Sequence, residues 1–207
     1  MTETNANPNG KKEQMPDYVY RGYFVNKDNL DRKLADAGIN LPNLPEDWNL
    51  TKNSHITTSF QKEAAAEWKD IGTHCDLNIT GYGYDKNKAL ALTIEPKETQ
   101  EGNAFKELEA TGKLRQLHIT IGVAPGIKNK QSAELFEENS GADIVKFDKP
   151  IEISAVYGGC IKDSGKIDTT SYTNYIKTKE RYSSRAANAA VNIEKENDLQ
   201  NSGASIV

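Results

Sequence analysis

Short runs rich in β-branched and aromatic residues recur along this chain, and single helix-prone segments separate them. Such runs favour strands, whereas apolar residues at i and i+4 favour helices. We predict strands over residues 18–25, 52–60, 75–82, 88–95, 114–123 and 145–157, and helices over residues 27–38, 61–70, 102–112 and 130–138. This alternation, with antiparallel pairing around the glycine-rich turn at 81–87, predicts an α+β fold.

Two segments carry more detailed local signals. Asn26 is placed to cap the first helix, Leu30 and Leu34 form its apolar stripe, and Gly38 ends it. The run ALALTIE at 89–95 alternates only loosely between apolar and polar residues. That pattern predicts a strand covered on both faces.

The two ends of the chain differ in composition from the middle. Hydrophobic residues make up 36% of the sequence, and the mean hydropathy is −0.72. Residues 1–16 hold almost nothing apolar, and residues 176–207 are rich in Lys, Glu, Asn and Ser. Such segments cannot bury enough apolar surface to offset their ordering entropy, so we expect two disordered tails around one domain at 17–175.

Charge and cysteine content limit the partners and the compartment. The net charge of −4 gives no general attraction for long duplex nucleic acid, although it permits a nucleotide in a local pocket. No stretch approaches the length of a membrane span. Cys75 and Cys160 are too few for a disulfide framework, which favours reduced thiols and a cytoplasmic protein.

Histidine placement carries the functional signal. The chain has only three histidines, and two of them open the same pattern, His55-Ile-Thr-Thr and His118-Ile-Thr-Ile. On a strand, residues i and i+2 point to the same face. His55 therefore projects with Thr57, and His118 with Thr120, so we expect the two pairs to converge on one cleft from neighbouring central strands.

These residue types suit phosphodiester hydrolysis. One imidazole can accept a proton from the attacking oxygen while the other protonates the leaving oxygen, since histidine titrates near neutral pH. Each threonine hydroxyl can stabilise a non-bridging phosphoryl oxygen. No cofactor and no metal are needed for this chemistry, and the sequence lacks the spaced histidine and carboxylate patterns of common metal sites. We expect a structural role for His74, which lies beside Cys75.

Paired H-x-T-x motifs on strands about 60 residues apart resemble those of the 2H phosphoesterase superfamily. The resemblance covers residues 18–157 and implies a bilobal, pseudo-twofold α+β fold with a central cleft between two mainly antiparallel sheets. It also implies catalytic roles for His55, Thr57, His118 and Thr120. Thr58 departs from the family, which usually has an aliphatic residue there.

The strand at 18–25 offers candidates for substrate contact. Arg21 is a candidate phosphate ligand, and Tyr18, Tyr20, Tyr23 and Phe24 are candidates for base stacking. Tyr82 and Tyr84 in the glycine-rich turn and Lys130 after the second motif are further candidates. An ordinary aromatic strand, a plain hairpin and a solvated loop that also contains Lys128 and Ser132 are the alternative interpretations.

The sequence thus favours a metal-independent phosphodiesterase that acts on RNA-type phosphodiesters, either 2′,3′-cyclic phosphate ends or 2′-5′ linkages. One alternative is an enzyme of the phage type that degrades cyclic oligonucleotide second messengers. A non-catalytic nucleotide-binding module and an interaction protein with chance motifs are the others. The sequence does not distinguish the acid from the base, and it leaves the oligomeric state open.

Overall fold

The computed structural model describes residues 16–60, 70–97 and 102–170. In these ranges the chain forms β1 (Tyr18–Val25), α1 (Lys27–Asp36), β2 (Asn49–Leu50), β3 (His55–Phe60), β4 (His74–Asp85), β5 (Ala89–Pro96), α2 (Asn103–Leu114), β6 (His118–Val123), a 3₁₀ helix (Asn129–Phe136), β7 (Asp143–Ile161) and β8 (Ile167–Asp168). The α+β prediction is confirmed. The expected tails and the predicted helix over 61–70 fall almost entirely outside the described residues.

Local signals in the first half of the chain place β1 and α1 as predicted. The Asn26 side-chain oxygen accepts a hydrogen bond from the backbone N–H of Asn29 at 2.9 Å, which caps α1. Leu30 and Leu34 are both buried. Gly38 follows the helix with a φ of +69°, a conformation that glycine adopts without strain. The loosely alternating strand β5 is buried from Ala89 to Leu92, as expected for a strand covered on both faces.

The predicted boundary between α2 and β6 is wrong. The glycine at 112 was expected to end the helix, yet α2 continues to Leu114, and β6 begins only at His118. A glycine inside a helix lowers helix stability by only about 1 kcal/mol relative to alanine. The helix can therefore continue through it when the neighbouring residues favour a helix. Leu114 ends the helix 87% exposed, and the backbone N–H of Arg115 still donates to the Thr111 carbonyl at 3.0 Å.

All the strand pairs are antiparallel, and they follow the order β2-β6-β5-β4-β7-β1-β3, with β8 added to β7. The 19-residue strand β7 pairs with both β1 and β4. It therefore joins a first half (β1 and β3) to a second half (β4, β5, β6 and β2), and the two expected sheets form one continuous path. We expected the motif strands to be neighbours. Instead, β3 and β6 lie near opposite ends of the path, which curls until these two strands contact each other.

The main core packs the two helices against one face of this sheet. Leu30 and Leu34 of α1 and Phe105 and Leu108 of α2 belong to it, together with Tyr157 of β7. Burying this apolar surface is the main stabilising contribution to such a fold. The two cysteines are free and buried. No helix among the described residues is long and apolar enough to cross a membrane.

Candidate active site

Both H-x-T-x motifs begin at the first residue of a strand, His55 in β3 and His118 in β6. The isoleucines between histidine and threonine are 1% and 0% exposed and belong to the main core. The histidine and threonine of each motif therefore lie on the opposite face of the strand, away from the main core. A cavity of about 160 Å³, here called the motif cavity, is lined by His55, Thr57, His118 and Thr120. The structure thus places all four motif residues around one space.

A β-bulge occurs at the same step of each motif. Gly22 pairs with Thr57 and the residue before Gly22 pairs with Ser59, so Thr58 is an extra residue on β3. On β6, Thr120 and Gly122 pair with successive residues of β5, so Ile121 is the extra residue. A bulge bends its strand and redirects the adjacent side chains. In both motifs the extra residue is therefore the fourth one, Thr58 or Ile121, and it interrupts the regular strand pairing directly after the threonine.

The departure at Thr58 has a structural explanation. Its hydroxyl donates to the buried carboxylate of Glu107 at 3.2 Å, and the Tyr157 hydroxyl donates to the same oxygen at 2.9 Å. The Thr111 hydroxyl shares its proton between the Glu107 carbonyl at 2.8 Å and the Thr58 carbonyl at 3.1 Å. These bonds connect α2 and β7 to the bulge, which explains why a polar residue occupies this position.

Both imidazoles are held in the same way. The Nδ1 atom of His55 lies 2.8 Å from the Asn53 carbonyl oxygen, and the Nδ1 atom of His118 lies 3.0 Å from the Gln116 carbonyl oxygen. A carbonyl only accepts, so each Nδ1 carries a proton, and in the neutral ring Nε2 has a free lone pair. The backbone two residues before each histidine therefore sets the tautomer suited to proton transfer.

Ser132 makes the two histidines different. It is 0% exposed, and its hydroxyl donates to the Asn129 carbonyl at 2.7 Å. Its oxygen lies 2.6 Å from the Thr120 hydroxyl and 3.1 Å from the Nε2 atom of His118. With its proton given to Asn129, this oxygen can accept from the Thr120 hydroxyl, and it can accept from Nε2 of His118 only when that ring is doubly protonated. The solvated loop considered from the sequence is wrong for Ser132, because the 3₁₀ helix folds back against β6.

Aromatic rings lie against both histidines. The Tyr20 and Phe24 rings stack on His55 with centroid separations of 4.7 and 5.4 Å. The Phe136 ring lies 5.6 Å from that of His118. Such contacts restrict the rotation of the imidazoles and reduce their access to water. The aromatic residues of β1 therefore contact a catalytic candidate, and they do so through Tyr20 and Phe24.

Burial lowers the pKa of both imidazoles from the usual 6.5. For His55 the hydrogen bond to the Asn53 carbonyl partly opposes this effect. For His118 the Gln116 carbonyl opposes it, whereas the positive charges of Arg115 and of protonated His55 lower the pKa further. Both rings therefore favour the neutral form in the empty cleft, and a bound anion would favour protonation.

Two cationic side chains, Arg115 and Lys130, line the motif cavity, together with the polar residues Thr111, Gln116 and Asn129. Arg115 donates from Nη2 to the Thr57 carbonyl at 3.1 Å. The guanidinium therefore sits at the first motif, where it can attract a phosphodiester anion. Arg115 was missed from the sequence because the helix was expected to end at the glycine three residues earlier.

The remaining sequence candidates do not line the motif cavity. Tyr23 is 0% exposed and packs edge-on against Tyr157, because it lies on the opposite side of β1 from Tyr20. Arg21 lies on that side as well, with its guanidinium 5.4 Å from the Tyr18 ring. Two further aromatic candidates pack within the second half of the sheet: Tyr82 against Phe147, and Tyr84 against Trp48.

His74 is exposed at the start of β4 and does not line the motif cavity. Within the described ranges, no group of three or more His, Cys, Asp or Glu side chains is arranged to hold a metal ion.

Comparison with known proteins gives little further identification. No protein-family model matches the sequence, and no curated protein sequence matches it. Among solved structures, the chain is similar to one described as the crystal structure of a fungal RNA kinase, with 12% sequence identity and a TM-score of 0.43. The alignment covers 70% of this chain and 46% of the kinase chain, so the present chain matches less than half of that protein. At this level of similarity the match carries no argument about activity.

Proposed function

We propose that this chain is a phosphodiesterase of the 2H type that hydrolyses RNA-type phosphodiesters, either 2′,3′-cyclic phosphates or 2′-5′ linkages, by paired-histidine acid–base catalysis. The observation that carries the proposal is the motif cavity, which is lined by both histidines and both threonines of the repeated motif. A chance pair of motifs would not be expected to share one cavity, the same bulge and the same Nδ1–carbonyl bond.

The chemistry follows from the groups around the cavity. Arg115 and Lys130 attract the phosphodiester anion, and the threonine hydroxyls stabilise its non-bridging oxygens. Water attacks phosphorus and gives its proton to one imidazole, while the other imidazole protonates the leaving ribose oxygen. Confinement of the phosphate between two fixed rings supplies the orientation that such a displacement requires.

Ser132 gives a basis for assigning the two roles. Its oxygen accepts a hydrogen bond from Nε2 of His118 only when that ring is doubly protonated, because Nδ1 already donates to Gln116. This contact favours His118 as the acid, against the positive charges of Arg115 and protonated His55 that lower its pKa, and it leaves His55 as the base. Thr57 forms no side-chain hydrogen bond to another described residue, so its hydroxyl is ready for a phosphoryl oxygen. Thr120 first has to turn its O–H away from Ser132.

The cleft also fits the phosphodiester of a cyclic oligonucleotide second messenger, the alternative raised by the sequence. Both substrate classes present the same reacting group. A binding module without turnover would have no use for two imidazoles that are both fixed with a free Nε2 lone pair, and this favours an enzyme.

The direct test is an activity screen in EDTA. The purified protein is incubated with nucleoside 2′,3′-cyclic phosphates, 2′-5′ oligoadenylate and cyclic oligonucleotides, and products are identified by mass. His55→Ala and His118→Ala are each expected to lower kcat by about 10²–10⁴-fold. The double variant should lose far less than the product of these factors, because the two groups act together.

His74→Ala is the matched control, since it removes an exposed histidine outside the motif cavity. We expect it to keep wild-type activity. The proposal would be refuted by no turnover of any phosphodiester, by abolition of activity in EDTA, or by equal losses in all three histidine variants.

A further inference from the structure

A second cavity of about 320 Å³ lies between β4, β5, β7 and the end of the 3₁₀ helix; we call it the side cavity. It adjoins the motif cavity at Gln116, which lines both. Phe136 forms part of its wall and also contacts the His118 ring. Thr93, another lining residue, pairs with His118 across β5 and β6. The side cavity is therefore on the His118 side of the reaction centre.

The sizes of the two cavities suit a single ligand that extends from one into the other. Pockets that enclose a whole small-molecule ligand usually have a volume of about 300–1,000 Å³. The motif cavity, at about 160 Å³, has room for a phosphoryl group and its ester oxygens but not for a complete nucleotide. A substrate must therefore extend beyond it, and the side cavity of about 320 Å³ is large enough for a nucleoside.

The lining of the side cavity suits a neutral, flat, partly polar group. Ile144 and Val145 are large apolar residues that are 48% and 38% exposed, and with Phe136 they offer an apolar surface to a base. The Thr80 and Thr93 hydroxyls, 3.1 Å apart, provide polar contacts. Two carboxylates and one ammonium group also line the cavity (Glu95, Glu137 and Lys146). The carboxylates outnumber the lysine, and this disfavours a second phosphate there.

We propose that the side cavity binds the nucleoside whose ribose oxygen leaves in the reaction. This inference rests on the proposed function and deepens it. Water forms the new P–O bond and gives its proton to His55, the P–O bond to the ribose breaks, and His118 protonates the departing oxygen. The departing nucleoside then lies beside His118, the histidine that the side cavity adjoins. Linear and cyclic substrates both contain such a nucleoside, so the side cavity would bind the same nucleoside group in either class.

The test combines deletion of the base with filling of the cavity. The substrates are adenosine 2′,3′-cyclic phosphate and 1-O-methylribose 2′,3′-cyclic phosphate, which lacks the base. The wild-type protein should favour adenosine by roughly 10-fold or more in kcat/KM, the scale of base stacking on protein side chains. Val145→Trp, which fills the side cavity from an exposed strand position, should reduce this preference to about two-fold or less. Leu50→Trp makes the matched change at a residue that is 64% exposed and lines neither cavity.

A second readout does not depend on turnover. Adenosine 3′-phosphate should shift the methyl NMR signals of Ile144 and Val145, whereas ribose 5-phosphate should leave them in place. Hydrolysis with no loss of base preference in Val145→Trp would overturn the side-cavity site and leave the proposed function standing. Methyl shifts without hydrolysis of any substrate would support the site and refute the function. Absence of both would refute both.

Discussion

Replacing Ser132 with alanine tests how the second motif is assembled. The change removes a hydroxyl that is 0% exposed and contacts the Asn129 carbonyl, the Thr120 hydroxyl and Nε2 of His118 at 2.7, 2.6 and 3.1 Å. A typical hydrogen bond contributes about 0.5–1.5 kcal/mol net. Water in the cleft can replace part of what Thr120 and His118 lose, so we expect a destabilisation of about 1–3 kcal/mol.

The variant should also change the pH profile. Ser132 accepts from Nε2 only in protonated His118, so we expect its hydroxyl to favour the charged ring and to oppose the lowering of the His118 pKa by burial. Removing the hydroxyl should lower that pKa, and the alkaline limb of the activity profile should move to lower pH. A hydrogen bond that contributes about 1.4 kcal/mol corresponds to a shift of about one pH unit. Loss of Thr120 positioning should lower kcat/KM by a further 10-fold or so.

The assay is kcat/KM for a nucleoside 2′,3′-cyclic phosphate between pH 5 and 9, together with thermal unfolding. Tyr18→Phe is the control, because it deletes another buried hydroxyl, which donates to Asp168 at 2.7 Å outside the motif cavity. It should lower stability and leave both limbs in place. An alkaline limb that moves to higher pH in Ser132→Ala would mean that the serine donates to a neutral His118, and the assignment of His118 as the acid would then be wrong.

Three further predictions concern the fold around the site. Gly22→Ala should strongly destabilise the protein and abolish activity, because a Cβ there would lie 1.9 Å from the Ile56 carbonyl oxygen on the first motif strand. A melting temperature equal to that of the wild-type protein would contradict this prediction. Gly112→Ala should stabilise α2 by up to about 1 kcal/mol in chemical denaturation, provided that the buried Leu117 side chain, 3.3 Å from the new Cβ, shifts slightly. A clear loss of stability would show that Leu117 cannot shift. Because the pKa values of His55 and His118 are lowered in the folded state, the unfolded chain binds protons first as the pH falls. Unfolding free energy should therefore decrease from about pH 6.5 downward, and replacing both histidines with asparagine should reduce that decrease.

The motif residues could be found from the sequence because strand alternation has a period of two and places histidine and threonine on one face. Strand pairing is a long-range property, so the sequence did not show that β3 and β6 face each other across the curled sheet. Ser132 was assigned to a solvated loop because a single serine carries no periodic signal. Its burial depends on a 3₁₀ helix that folds back 14 residues after His118. Tyr20 and Tyr23 were both candidates because sequence alone does not show which face of β1 turns toward the cleft.

The long strand β7 also limits how the protein can move. Hydrogen-bonded pairing runs from β3 through β1, β7, β4 and β5 to β6, so one sheet joins the halves that carry the two histidines. Hinge closure usually depends on a few loop residues that absorb large backbone changes. In this protein the two ladders overlap on β7 only at Ala155 and Val156, so a change in the angle between the halves would be taken up at these two strand residues.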